Sequence, residues 1–466
     1  MSNGIKILIF ALILTVVFTV CIAVGLYIKN NDSSESSEAG TDNVPVITPE
    51  VSEPELLLPP EEFDSYSIAV DIILSNSDKF KTAFADRISA EFIDKAAGLF
   101  GNEFVEKLAD AVCESDIDSE VLYNISGYSE KAFITLLNGC DERTAVWEDN
   151  GDGITELSFV GDVSFADTSS VMRRYKERAK GVDGIVAQGV LDIMRSVDIT
   201  MANNEFTFTE RGAPIEGKRY TFRANPENVS IYHEMGVDIV GMANNHAFDY
   251  GEYSLADTLG TLDGAGIAHV GAGLDLNDAK APYYYIINGR KIAIIAASAV
   301  DYVYTRIATD SQSGVFQLVD PNPCLELIKE AKESSDYVIV YVHWGIESTT
   351  NLSDYQLDMG KAFADAGADA VIGMHSHCMQ GVEMYNGKFI AYSLGNFTFS
   401  SYTLSCAMAV ITVDGTGELG FKLYPMMQRN NMTYICESEE LVKQLSLLRS
   451  LAINADVADD FTVTQK

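Results

Sequence analysis

The chain has 466 residues, with 68 acidic against 32 basic side chains, a formal net charge of −36 and 47% hydrophobic residues. That length exceeds one ordinary core, so a main domain with smaller parts is expected, and the composition is globular. The acidity argues against nucleic acid as a partner, because phosphate binding rests on Lys and Arg releasing counterions. Seven scattered cysteines contain no CxxC pair, so neither a disulfide framework nor a structural zinc site is indicated.

From Ile7 to Ile28 the chain reads "ILIFALILTVVFTVCIAVGLYI", uncharged and long enough to cross a hydrocarbon core of about 30 Å as a helix. Residues 1–29 are therefore read as a single-pass membrane anchor. Lys6 precedes the span, while Lys29 and an acidic tract follow it, which orients the N-terminus to the cytoplasm and the bulk outside. No small-x-small cleavage site follows, so the segment reads as a retained signal-anchor. Cys21 admits a lipid-modified reading, but Val20 fits that poorly and an apolar membrane residue is preferred. Residues 30–62, rich in Ser, Glu and Pro without a base, form a disordered acidic linker. Residues 63–150 carry helical periodicity without strand signals, as in "SEKAFITLLNG", where Ser129 caps the start and Gly139 ends the helix. A small helical module is expected there.

After "EDNGDG" the texture changes. "ELSFV", "VDITM", "VDIVGM", "KIAIIAASAV", "DYVIVYV" and "ADAVIGM" read as buried strands, alternating with helices such as "GEYSLADTLGTLDGAG" and "SDYQLDMGKAFADAG". Residues 154–428 thus form an α/β layered domain, and 437–466 a last amphipathic helix with a polar tail.

Ligands in α/β proteins gather at the carboxyl ends of strands. Asp162 follows the first run, Asn203, Asn204 and Glu205 the second, Asn244, Asn245 and His246 the third. His343 follows "DYVIVYV", and His375 and His377 follow "ADAVIGM". Each has a structural reading when taken alone: Gly161-Asp162 as a turn, the Asn pair as a cap, His343 as a core imidazole. His233 and His269, in helical or turn contexts, keep such a reading. Together, carboxylate, amide and imidazole groups at five strand ends make a ligand set for manganese, iron or zinc. Their number fits two divalent ions sharing one carboxylate, as in displacement at phosphorus. His375 and His377 then serve different ions.

The segments "FVGDVSF", "NNEFTFTERGAP", "RYTFRANP", "GVDIVGMANNHAFDYGEYSLADTL", "GIAHVGAG", "YVHWGIE" and "AGADAVIGMHSHCMQGVEMYNGKFIAYSLGNFTF", in that order, resemble the CapA-type proteins of bacterial capsule (poly-γ-glutamate) synthesis, a branch of the calcineurin-like metallophosphoesterases. The resemblance covers roughly residues 155 to 425. It implies a four-layer α/β/β/α sandwich rather than a simple doubly wound sheet. It also implies roles: Asp162 on the first metal, Glu205 bridging, Asn245 and His343 on the second, His375 on the second and His377 on the first. His246 would be the general acid with Asp249 orienting its ring, Arg223 an anion clamp, and Asn396 part of the rim. Two departures stand out. Ser164 replaces the histidine of an Asp-x-His pattern, removing one nitrogen ligand from the first ion, and Ser376 stands where proline is commoner.

The function expected is a membrane-anchored extracellular factor in capsule or poly-γ-glutamate synthesis or export, working on an anionic polymer beside membrane proteins of a capsule complex. The alternative is a surface phosphoesterase unrelated to capsule; a surface protein with a degenerate site is the third reading.

Overall fold

The computed structural model describes residues 129, 131, 132, 135, 140–147, 151–177, 181–300 and 303–466. The expected anchor, the linker and most of the helical module lie outside them. Among the described residues no helix is long and apolar enough to cross a membrane.

In chain order come β1 (Thr144–Trp147), β2 (Thr155–Val163), α1 (Ser170–Glu177), α2 (Gln188–Ser196), β3 (Ile199–Asn204), β4 (Thr207–Phe208), β5 (Arg223–Ala224), α3 (Ser230–Met235), β6 (Ile239–Gly241), α4 (Glu252–Ala265), β7 (Ala268–Val270) and β8 (Ala272–Gly273). Then follow α5 (Leu276–Lys280), β9 (Tyr283–Ile287), β10 (Arg290–Ser298), β11 (Gly314–Val315), α6 (Asn322–Ser334), β12 (Tyr337–His343), α7 (Asp354–Ala366), β13 (Ala370–Met374), β14 (Val382–Tyr385), β15 (Lys388–Ala391) and β16 (Asn396–Thr398). The chain ends with β17 (Leu404–Val413), β18 (Leu419–Arg429), β19 (Met432–Ile435), α8 (Ser438–Leu451), β20 (Ala455–Val457) and β21 (Val463–Gln465).

Two mixed sheets face each other. One runs β1-β9-β10-β12-β13-β15-β14; the other runs β19-β18-β17-β2-β3-β6-β7, with β16 beside β2. Alternate side chains explain why the strands read as unbroken apolar runs. Ile292, Ile294, Ile339, Tyr341 and Ile372 face Leu157, Phe159, Ile199 and Met201 of the second sheet, whereas Ile295, Val338, Val340 and Val371 face Ile328 and Phe363 of α6 and α7. On the far side Val160, Ala202 and Val240 pack on Leu191, Ile231, Leu255 and Leu259 of α2, α3 and α4. The order of layers is therefore helix, sheet, sheet, helix, as expected. Both faces of the central strands are buried, and the polar Ser158 and Thr200 within them pair with each other at 2.6 Å. Local signals set the helix ends: Ser353 and Gln356 form a capping box before α7, and Gly266 closes α4 at φ 69°.

Three expectations change. Residues 144–147, placed in the helical module, are an edge strand paired in parallel with β9. Their TAVW is too short for periodicity to show, and the partner strand lies far away in sequence. Upstream, the Ser129 hydroxyl does accept the Ala132 N–H at 3.1 Å, as the cap reading requires. The polar tail after α8 is a hairpin, β20 with β21, which places Ala455, Val457 and Val463 in the inter-sheet core. His269 lies on strand β7 rather than in a helix or turn.

Candidate metal centre

Parallel pairing brings the strand ends together. Across the second sheet Asn396 pairs with Asp162 and Asp162 with Asn203, while Asn203 pairs with Gly241, four residues before Asn245. Across the first sheet Ser298 pairs with His343, and His343 with Met374, the neighbour of His375. The two rows face one another at one end of the sandwich. Gly161-Asp162 is not a turn: the two residues lie inside β2, where the register with β3 shifts between Phe159 and Asp162. Glycine is required there, because a Cβ on Gly161 would sit 1.8 Å from the Gly395 carbonyl oxygen.

The side chains converge. Glu205, His343 and His375 offer ligand atoms within 4.8 Å of one another, and so do Asp162, Glu205 and His377. Glu205 belongs to both groups, and its Oε1 is buried without a hydrogen bond, 3.6 Å from His343 Nε2 and 3.9 Å from His246 Nε2. Asn245 Oδ1 lies 3.0 Å from His343 Nε2, and His375 Nδ1 lies 3.0 Å from the same nitrogen. His377 Nδ1 is 3.3 Å from Asp162 Oδ2. All six residues expected to bind metal are thus in one place. His375 and His377 both hold positive φ, 94° and 57°, a strained conformation for non-glycine residues, with Ser376 pinned between them by hydrogen bonds to Ser393 Oγ and the Cys378 carbonyl.

Burial governs the protonation states. It raises the Glu205 carboxyl well above the usual range, and the Asp162 charge beside it adds to the rise. Burial holds His343 well below an ordinary imidazole, with His375 pressing the same way, and takes His375 to about 3. His377 moves up: burial pulls it down, but the hydrogen bond and charge of Asp162 outweigh that. The cluster therefore presents two neutral imidazoles at neutral pH.

His246 stands at the edge of this group. Its Nδ1 lies 2.7 Å from Asp249 Oδ2, and its ring packs against Phe222, centroids 4.4 Å apart and planes tilted by 39°. Asp249, fully buried, also accepts the Lys218 ammonium at 2.6 Å and the Phe222 N–H at 2.6 Å. Burial lowers the His246 imidazole and Asp249 opposes the shift.

Four residues to which the resemblance gave no role belong here, two of them, Asn203 and Asn244, already named at the strand ends. Asn203 donates to Asp162 Oδ1 at 2.8 Å and lies 3.3 Å from His343 Nδ1; Asn244 donates to Asn203 Oδ1 at 3.0 Å and accepts the His246 N–H. Lys218 ties the loop before β5 to Asp249 and to the Asn245 carbonyl. Glu347, exposed, adds negative potential felt by Glu205 and His377. The "NNE" and "NNH" strings were the available signal for the two asparagines; Lys218 and Glu347, in loops, had none. Asn396 is buried rather than on the rim, and its Oδ1 holds His377 Nδ1 at 2.8 Å. Arg223 lies one residue from Phe222, its guanidinium over the Tyr250 ring at 4.4 Å. Ser164 is buried and its Oγ accepts the Ala166 N–H at 3.5 Å, within its own strand end.

Residues 156–401 match the family model described as "Bacterial capsule synthesis protein PGA_cap". The PGA biosynthesis protein CapA of Bacillus subtilis is 33% identical over 315 residues, 66% of this chain and 80% of that one. The capsule biosynthesis protein CapA of Bacillus anthracis is 36% identical over 186 residues, 39% of this chain and 45% of that one. Among solved structures, the NAD nucleotidase of Haemophilus influenzae aligns over 64% of this chain and 56% of its own at 11% identity, with a TM-score of 0.35, too remote to bear on the site. With more than half of its length matched by the family model, the chain belongs to the bacterial capsule synthesis protein family.

Proposed function

We propose that this chain acts at the cell surface in making or exporting a poly-γ-glutamate capsule, held to the membrane by residues 7–28, with two divalent cations (manganese, iron or zinc) in the cluster around Glu205. The observation that carries the metal reading is Glu205 itself. A fully buried carboxyl with an orphaned oxygen, common to two ligand groups and flanked by neutral imidazoles, can ionise without penalty only with a cation to face it. Asp162 and His377 would hold one ion, Asn245, His343 and His375 the other, with Glu205 on both. Bound ions of this kind polarise an oxyanion ligand and lower the pKa of coordinated water. The chain supplies the rest. Asp249 accepts the hydrogen bond from His246 Nδ1 and so fixes the tautomer and ring plane, and Phe222 covers one ring face. His246, with Nε2 3.9 Å from Glu205 Oε1, would hold or deliver a proton there.

The capsule reading draws on the relatives, which are named for PGA and capsule biosynthesis. Its test is deletion of the gene followed by complementation. Surface polymer should vanish, return with the wild-type chain, and stay absent with Glu205→Gln; unchanged polymer in the deletion strain rejects the proposal. A surface phosphoesterase is the second reading, favoured by the His246–Asp249 pair beside the cluster. Manganese-dependent hydrolysis of a phosphate ester that His246→Ala abolishes, in a strain whose polymer is unaffected by the deletion, would establish it instead.

A further inference from the structure

Among the described residues Arg143, Arg211, Arg429 and Arg449 form ion pairs with carboxylates. Around the cluster, Arg211 pairs with Asp257 and Lys218 with Asp249. Arg223 and Arg306, like Arg219 over Tyr220, have no such partner among these residues. Among the described residues neither guanidinium forms an ion pair, and each lies on an aromatic face: Arg223 over Tyr250 at 4.4 Å, Arg306 over Phe248 at 5.2 Å. The Arg306 Nε is buried without a hydrogen-bond partner.

Both rings belong to the turn that leaves His246. Phe222, adjacent to Arg223, packs against the His246 ring, and a Cβ on Gly217, next to Lys218, would meet the Tyr304 hydroxyl at 3.4 Å. Segments 217–223, 246–250 and 303–306 therefore meet beside the imidazole. Stacking occupies the flat face of a guanidinium and leaves its in-plane N–H groups free, the geometry that grips a carboxylate or phosphate by two parallel hydrogen bonds. An arginine nitrogen buried without an acceptor is destabilising unless a ligand brings one.

We propose that Arg223 and Arg306 form an anion subsite beside the metal centre, which binds a carboxylate of a polyacid chain while a neighbouring part of that chain lies at the cluster. The inference rests on the polymer reading above and adds where the polymer is gripped. Carboxylate is preferred to phosphate because two guanidiniums on separate rings suit single charges spaced along a chain. It also resolves a conflict: a −36 protein repels a polyanion at long range, so capture has to be local, by cations that no internal acid has neutralised.

The test uses the full-length chain loaded with manganese and titrated calorimetrically with a short γ-linked glutamate oligomer, and separately with tripolyphosphate. Arg306→Met and Arg223→Met should each weaken oligomer binding about tenfold, the loss of one charge-assisted pair. Arg306→Lys should recover only part of this, since the charge remains but the fork does not. Arg449→Met, on the C-terminal helix, serves as the charge control, and metal content together with the melting temperature verifies that each variant is folded and loaded. Equal oligomer affinity in the wild type, Arg306→Met and Arg223→Met overturns the subsite, as does a wild-type chain that binds neither probe. If tripolyphosphate binds more tightly and loses more in the variants, the carboxylate assignment is overturned in favour of phosphate. A chain that takes up no manganese, yet loses oligomer affinity in both arginine variants, defeats the metal reading and leaves the subsite standing.

Discussion

Replacing Glu205 by Gln changes one oxygen to an amide and removes one charge, but it should dismantle both ligand groups, since each contains that carboxylate. Ligand at a hundredfold excess over its Kd stabilises the folded state by about 2.7 kcal/mol. At roughly 2–4 °C per kcal/mol for a large domain, one such ion raises the Tm by about 5–10 °C. The wild-type chain should show at least that rise on adding manganese, and Glu205→Gln almost none. Without metal the ranking reverses. Burial and Asp162 raise the Glu205 carboxyl in the folded state, so its protonated form contributes stability at acid pH that is lost as pH rises through the raised value. Metal-free wild type should therefore weaken toward neutral pH, whereas Glu205→Gln, unable to ionise there, should lose that part of the decline. Differential scanning fluorimetry with and without manganese, across pH, reads both effects. A variant with the wild-type manganese rise, or with two ions by elemental analysis, would refute Glu205 as the shared ligand.

His377→Ala removes a ligand from one group only, so elemental analysis should find about half the wild-type metal; complete loss would mean that the two positions fill together. Asp249→Asn leaves the Lys218 ammonium, 6% exposed, without its anion, and should cost about 3–5 kcal/mol in denaturant unfolding, part of it restored by adding Lys218→Met. An unaltered midpoint for the single variant would remove Lys218 from the site. Manganese binding should release protons near neutral pH from Glu205 and His377, whose pKa values are raised, and none from His343 or His375, whose values are lowered. Calorimetry in buffers of different ionisation enthalpy measures this, and Glu205→Gln should reduce the release. Gly161→Ala should destabilise by about 3 kcal/mol through overpacking against the Gly395 carbonyl, and weaken metal binding through the adjacent Asp162; wild-type stability would contradict the close approach.

Chain chemistry alone determined the strands and the ligand types. Unbroken apolar runs such as "KIAIIAAS" mark strands buried on both faces, and the polar residue after each run marks the end at which a site forms, because parallel pairing aligns those ends. Local patterns could not say which neighbours meet. Asn203 and Asn245 look alike in sequence, yet Asn203 donates to Asp162 and lies against His343 Nδ1 while Asn245 meets the other ring nitrogen, Nε2, a difference set by the register of β2 with β3 and by the turn after β6. Asn396 reads as a loop residue until β16 pairs with β2 and brings it under His377. The strand at 144–147 is held by a partner distant in the chain, and the hairpin after α8, though it pairs locally, packs into a core drawn from both sheets, so no window of sequence contains the whole cause. Protonation, too, is decided in three dimensions: Glu205 rises and His375 falls because folding removes water from both and places Asp162 and His377 beside them, and burial belongs to the assembled core rather than to any residue.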